Sequence, residues 1–188
     1  MNHRERWVKC MHFQPVDHVP DEEFGYWSEN LGVWKQQGLP DTVTNLEGYF
    51  KFAPRSGVPG GTGFSYGFES KVIEETDKYR IIVNGDGAKQ QVFTDGSSTI
   101  PHYIEFGLKG RKEWEELYKP RLDIENPSRY PESRSDWEQL KTRLNDPNWS
   151  IPVGIGIGSL FGVLRNWAGF EGISMLCYDD PELVEEMV

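Results

Sequence analysis

The sequence predicts an α/β fold with an antiparallel β-meander set into it. Three observations carry this. Four β-rich runs crowd between residues 68 and 106, with a strong hairpin signal among them. Stretches with helical periodicity flank them on both sides. Later, the continuous apolar run Ile151-Pro152-Val153-Gly154-Ile155-Gly156 has the pattern of a strand buried on both faces of a parallel sheet.

Asn2 is a plausible N-cap for the first helix, whose Trp7, Cys10 and Met11 fall on one face and which Pro15 ends. Val16–Phe24 reads as extended, with Pro20 inside it. Trp27–Gln37 is a second helix, with Leu31 and Trp34 on its apolar stripe and Gly38 closing it. A short helix over Asn45–Phe50 follows. Ala53–Gly67 holds five Gly and two Pro and reads as loop. The meander comprises Phe68–Glu75, Tyr79–Val83, Lys89–Thr94 and Ile100–Phe106, with Asn84-Gly85-Asp86-Gly87 as the central turn. After Gly110, Trp114, Leu117 and Tyr118 share a helix face, and Pro120–Pro131 is a connector. Ser135 is the expected cap of a helix carrying Trp137, Leu140 and Leu144. Ser159–Trp167 is apolar nearly all round and should be buried, with Gly169 ending it. Phe170, Ile173, Leu176 and Cys177 mark the next helix. Asp180 caps a last one, with Pro181 at its favoured first position. The apolar face of that helix (Leu183, Val184, Met187, Val188) is still running at the last residue. This reads as the N-terminal part of a larger α/β unit; the alternative is a complete small α+β domain.

Composition excludes several classes. The chain has 188 residues, which suits one domain. Its 20 Lys+Arg against 30 Asp+Glu give a net charge of -10, which repels phosphate backbones and argues against a nucleic-acid partner. Seven Trp, eight Tyr and ten Phe, against three Ala, make a core of large side chains. No apolar run reaches the roughly 20 residues of a membrane span; the longest, Ile151–Leu164, is broken by four glycines. The first residues have no apolar stretch behind them, so no signal peptide is expected. Two cysteines, Cys10 and Cys177, are too few for a disulfide framework, and a cytoplasmic setting is the expectation. There is no His-x-Cys, Cys-x-x-Cys or His-Glu-x-x-His, so no metal ligands and no cofactor are expected in this chain. Cys10 and His12, two apart on a helix, point to different faces.

Nine residues are candidates for a substrate site. Glu22, Glu23, Tyr26 and Trp27 belong to an extended segment that ends in acids, a glycine and two aromatics. Such carboxylates at a strand end can act as acid, base or cation partner; a solvated acidic turn is the alternative. Gly156 and Gly158 lie in a strand-to-helix turn, spaced G-x-G-x-G-x-x-x-G and matching neither a dinucleotide loop nor a P-loop. Its backbone passes close to a ligand or to a neighbouring strand. Arg165 and Asn166 sit in an otherwise apolar helix. Arg165 is expected either to pair with Glu171 or Asp179, or to face a cleft where an anionic substrate group or Glu22 or Glu23 sits near it. His102, in the last meander strand, is either a binding residue or a packed or exposed strand histidine.

Three segments in order carry a family resemblance. They are Arg4-Glu5-Arg6 leading to Pro15-Val16-Asp17-His18-Val19-Pro20; Asp95-Gly96-Ser97-Ser98 through Ile104-Glu105-Phe106 to Trp114; and Ile151-Pro152-Val153-Gly154 through Gly162-Val163-Leu164-Arg165-Asn166 to Tyr178-Asp179-Asp180-Pro181-Glu182-Leu183-Val184. Together they resemble the uroporphyrinogen decarboxylase superfamily, nearest the branch with corrinoid-linked methyltransferases. The resemblance covers essentially the whole chain. It implies that residues 1–188 are the N-terminal portion of one TIM (β/α)8 barrel, with a meander inserted over 64–108, since a complete barrel needs about 250 residues. It implies an enzyme acting on a small-molecule substrate, with a corrinoid protein as candidate partner. Decarboxylases of the family hold an arginine-rich segment where this chain reads Phe24-Gly25-Tyr26-Trp27-Ser28-Glu29, and a tyrosine where it has Asn166. An acidic, aromatic mouth would repel an octa-carboxylate, so methyl transfer leads. A cofactor-free decarboxylase with Arg165 as carboxylate anchor is the first alternative. The second is a non-catalytic half-barrel that pairs with itself or with a second chain. The zinc of the methyltransferase branch belongs to the C-terminal half of the family barrel.

Overall fold

The computed structural model describes residues 1–58, 62–96, 100–130 and 133–188. Pro59, Gly60 and Gly61 of the glycine-rich loop, Ser97 and Ser98 of the second resemblance segment, and Pro131 lie outside the described residues. The fold is mixed α/β, with a parallel strand pair and a four-stranded antiparallel sheet. The chain divides into two compact units: Met1–Gly60 with Tyr130–Gly156, and Gly61–Arg129 with Ile157–Val188.

In the first unit, helix α1 spans His3–Met11, and the Asn2 side chain accepts from the Glu5 amide as expected of an N-cap. Its buried residue is Arg6, not the Trp7/Cys10/Met11 face. Helices α2 (Ser28–Gln36) and α3 (Leu46–Phe50) follow. Asn45 caps α3 by accepting from Gly48 N at 2.9 Å. Val16–Phe24, expected as a strand, joins no ladder among the described residues; a backbone bond, Ala53 N to Asp21 O at 2.6 Å, and side-chain pairs at Asp17 and Glu22 hold it instead.

The Ala53–Gly67 loop instead contains a short strand, β1 (Ser56–Gly57). It pairs in parallel with β6 (Val153–Gly154), Ser56 opposite Val153 and Gly57 opposite Gly154. The parallel pairing expected of the Ile151 run is therefore present. Its burial on both faces is not, since Ile155 is 55% exposed. Two strands close no barrel. Helix α5 (Arg134–Asn145) is capped by Ser133, which accepts from Asp136 N at 3.2 Å. Ser135, the expected cap, lies inside the helix and accepts from Gln139 instead.

The second unit holds the meander: β2 (Lys71–Glu75), β3 (Tyr79–Val83), β4 (Lys89–Phe93) and β5 (His102–Glu105), paired in sequence order. The turn between β3 and β4 forms as the sequence predicts. Asn84 Oδ1 accepts from Asp86 N and Ala88 N, and Gly87 takes φ +80°. Three helical residues, α4 (Arg111–Glu113), run into a π-turn over Trp114–Tyr118. The wider i→i+5 turn places Trp114 and Tyr118 on the buried side and rotates Leu117 out to 40% exposure, where a regular helix would have kept all three together.

Helix α6 (Leu160–Asp179) is kinked at Gly169, which has φ +77° and ψ 163°. A side chain there would collide with the Phe106 ring. The Ser159–Trp167 stretch is not buried all round. Leu164, Trp167 and Ala168 are inside, while Leu160 and Phe161 are exposed. Helix α7 (Pro181–Met187) is capped by Asp180, and Leu183 is fully buried. Leu108, Trp114, Tyr118, Trp167, Ile173 and Leu183 form the centre of one core. The Phe64 ring stacks on Trp167 at 4.9 Å between centroids. Arg111 pairs with Asp180, and Lys119 with Glu186, tying the π-turn region to α7. No helix among the described residues is long and apolar enough to cross a membrane.

Tyr118 seats the meander on this core. Its buried hydroxyl donates to the Asp86 carbonyl at 3.0 Å, and burial pushes its pKa up to about 12. Gly107 packs against it. A Cβ there would meet the Tyr118 hydroxyl and lie 2.8 Å from the Gly87 carbonyl oxygen, a backbone atom that cannot step aside. Gly107→Ala should therefore cost about 2 kcal/mol or more in urea unfolding. Gly85→Ala, where a Cβ meets open space, should stay within about 0.5 kcal/mol.

Candidate functional site

The first unit carries a concave site of about 650 Å³, lined by residues from Glu23 to Phe52. The walls are aromatic. Phe24, Tyr26 and Trp27 come from the segment before α2, Trp34 from α2, and Phe50 and Phe52 from the end of α3 and the turn after it. Rings meet edge to face: Tyr26 and Trp34 at 5.2 Å and 65°, Trp34 and Phe50 at 5.6 Å and 72°. Phe50 and Phe52 stack at 5.7 Å. Besides the Tyr26 hydroxyl, Glu23 and Asn30 are the polar side chains of the lining, and no Lys, Arg or His lines it among the described residues.

Two ties hold the walls together. The Ala53 N to Asp21 O bond joins the segments on either side of the cavity. Beside it, Arg55 Nε lies 3.2 Å from Glu22 Oε2. Neighbouring acids thus take different roles: Glu22 is neutralised by Arg55, and Glu23 lines the cavity. Glu23 Oε1 accepts from the Phe24 and Gly25 amides at 2.8 and 3.3 Å, fixing the carboxylate on its own turn. Gly25 has φ +144°, a conformation a side chain would strain.

The segment is anchored at its start by Arg6, which is 7% exposed. Its guanidinium donates through Nε to Asp17 Oδ1 at 2.7 Å, and through Nη2 to Asp17 Oδ2 at 2.8 Å and Met1 O at 2.9 Å. The two-pronged geometry is the strong form of such a pair. The Arg6 hydrogen bonds hold the Asp17 carboxyl well below the usual carboxylate range, helped by the His18 amide, and the Arg6 pKa is raised by the same partner.

The cavity brings together Glu23, Tyr26 and Trp27 of the sequence candidates. Glu22 lies next to it, paired with Arg55. Gly156, also in the first unit, is exposed and has open space where a side chain would point. The others belong to the second unit. His102 is an exposed residue of β5 opposite Gln91. Gly158 takes φ +67° just before Ser159 caps α6, so its glycine serves the turn into the helix. Arg165 lies on the exposed side of α6 and donates to Asn166 Oδ1 at 3.3 Å; among the described residues neither Glu171 nor Asp179 pairs with it. Trp34, Phe50 and Phe52 were not legible as site residues. The available signal was the density of aromatics on both sides of α2.

Neither family models, nor curated proteins, nor solved structures match the chain. Among the described residues no three His, Cys, Asp or Glu side chains converge as a metal site would require. What the cavity can do is bind a small molecule against aromatic rings and present one carboxylate, while staying open to water, since Phe24 is 95% and Trp27 54% exposed.

The Arg6–Asp17 pair generates a pH prediction. A carboxyl depressed in the folded state adds stability above its unfolded value of about 3.9, and that stability is lost as pH falls through the folded value. Thermal melts from about pH 5 down to about pH 2 should show wild type more stable than Asp17→Asn at the upper end. The gap should close as the pH falls; a gap independent of pH would contradict the role given to Asp17.

Proposed function

We propose that this chain is the N-terminal portion of a (β/α)8 barrel of the uroporphyrinogen decarboxylase superfamily, and that it belongs to an enzyme binding a small substrate in the Glu23–Phe52 cavity. Methyl transfer, with a corrinoid protein as the other partner, is the reaction favoured. The observation that carries this is the lining itself: aromatic, with one carboxylate and no arginine among the described residues. A substrate with many carboxylates needs cationic partners, and the nearest arginine in sequence, Arg55, is held by Glu22. The parallel sense of the β1–β6 pair supports the barrel reading, because the strands of such barrels run parallel; the connection between these two carries the inserted meander.

In this reading the aromatic walls hold and orient the acceptor, and Glu23 sits beside it. The methyl group passes from cobalt to the acceptor's heteroatom, the electron pair of the broken bond stays on cobalt, and the acceptor's proton leaves to solvent. The 188 residues alone should be inactive; given methylcobalamin and a panel of small thiols and amines, the complete barrel of which they would be the N-terminal portion should show an acceptor-dependent loss of the methyl–cobalt absorption. Trp27→Ala should slow that loss tenfold or more. Coproporphyrinogen appearing from uroporphyrinogen, with no methyl transfer, would establish the decarboxylase instead.

A second reading, pairing of two copies, is favoured by the exposure of Ile157, Leu160, Phe161 and Phe170 in the second unit, between 46% and 68%. Light scattering should then give a mass above that of the 21.7 kDa chain. Leu160→Glu should return it to the monomer, while a monomeric wild type would remove this reading.

A further inference from the structure

The composition of the cavity is more selective than a site for any small apolar molecule needs. Six of its lining side chains are aromatic: Phe24, Tyr26, Trp27, Trp34, Phe50 and Phe52. Aromatic faces carry partial negative charge and attract cations, tryptophan most strongly. Tyr26, Trp34 and Phe50 meet edge to face at 65° and 72°, Phe52 stacks on Phe50, and Phe24 and Trp27 stand exposed beside them, so the rings form an open, angled aromatic surface. The one ionisable carboxylate of the lining, Glu23, is tied to its turn through Oε1 alone; Oε2 has no partner among the described residues. Among the described residues no lysine, arginine or histidine lines the cavity to offset this charge, and the whole chain carries -10. A neutral apolar ligand would be served by leucine or valine walls and would leave a carboxylate at the rim without use. An anion would meet repulsion from both the rings and Glu23.

We propose that the cavity binds a small organic cation, a quaternary or tertiary alkylammonium group, through its aromatic walls and the Glu23 carboxylate. The inference rests on reading the cavity as a small-ligand site, but not on methyl transfer. At about 650 Å³ the space suits a ligand of a few to a few tens of heavy atoms. The aromatic rings supply the part of the affinity that depends on shape and desolvation. Glu23 supplies the part that depends on charge and weakens with salt.

Calorimetric titration of the protein with choline, and with 3,3-dimethylbutan-1-ol as its uncharged isostere, separates these contributions. Choline should bind at least tenfold more tightly than the isostere. Glu23→Gln, which keeps an oxygen for the Phe24 and Gly25 amides, should weaken choline about fivefold or more and leave the isostere unchanged. Trp34→Phe, which keeps an aromatic wall, should weaken choline less than Trp34→Leu does. Circular dichroism melts identify any variant that fails to fold, and the Glu23→Gln comparison then still decides. Equal binding of choline and the isostere would overturn the cation inference and leave the small-ligand reading standing. Binding of neither at millimolar concentration would overturn both. The methyl-transfer assay is independent of these outcomes.

Discussion

The first unit is organised around the fixing of one irregular segment, residues 17–27, which has no strand ladder to hold it. Arg6 grips its start through a bidentate bond to Asp17 and reaches back to the Met1 carbonyl. The Ala53 amide and the Glu22–Arg55 pair secure its middle. Glu23 then folds the segment on itself by accepting from Phe24 and Gly25. Backbone without regular structure must satisfy its polar groups locally or with water. Here side chains do much of that work, and the aromatic rings of Phe24, Tyr26 and Trp27 are delivered to one side of the cavity as a consequence. A guanidinium buried to this degree is stable only with its partner in place, so the cavity's geometry depends on Asp17 remaining ionised.

The second unit solves a different problem. A four-stranded meander with largely exposed strands cannot stabilise itself, and β2 is exposed along its whole length. It is seated instead at its turn. Tyr118 donates to Asp86 in the β3–β4 turn, and Gly87 and Gly107 make room for the ring. The π-turn is what aims Tyr118 and Trp114 into the same core as Trp167. Glycine is required at Gly107 by close approach, and at Gly169 by both a left-handed backbone and the Phe106 ring.

Local chemistry decided within a few residues was largely legible in the sequence, although Ser133 and not Ser135 caps α5. Asn2 and Asp180 cap helices as their side chains suggest, and Asn84-Gly85-Asp86-Gly87 turns where it should. What failed depends on partners far along the chain. A two-residue strand at Ser56–Gly57 has no periodicity to read; it exists because Val153–Gly154 comes alongside. Val16–Phe24 has strand-like residues but no strand beside it. Leu117 turned outward because a π-turn changes the period. Arg6 was hidden because periodicity ranks apolar faces and cannot foresee a salt-bridged arginine inside. In the site, Glu23, Tyr26 and Trp27 stood out by adjacency, whereas Trp34 read as an ordinary stripe residue and Phe50 as the end of a short helix. Their role comes from facing the other wall.

The central claim is that rings from two segments, Phe24–Trp34 and Phe50–Phe52, form one cation-binding surface. Proton NMR of choline with the protein tests it most directly. The trimethylammonium resonance should move upfield on binding, from ring currents, and show nuclear Overhauser contacts to both Trp34 and Phe50. An unshifted resonance, or contacts confined to rings outside residues 24–52, would contradict the account.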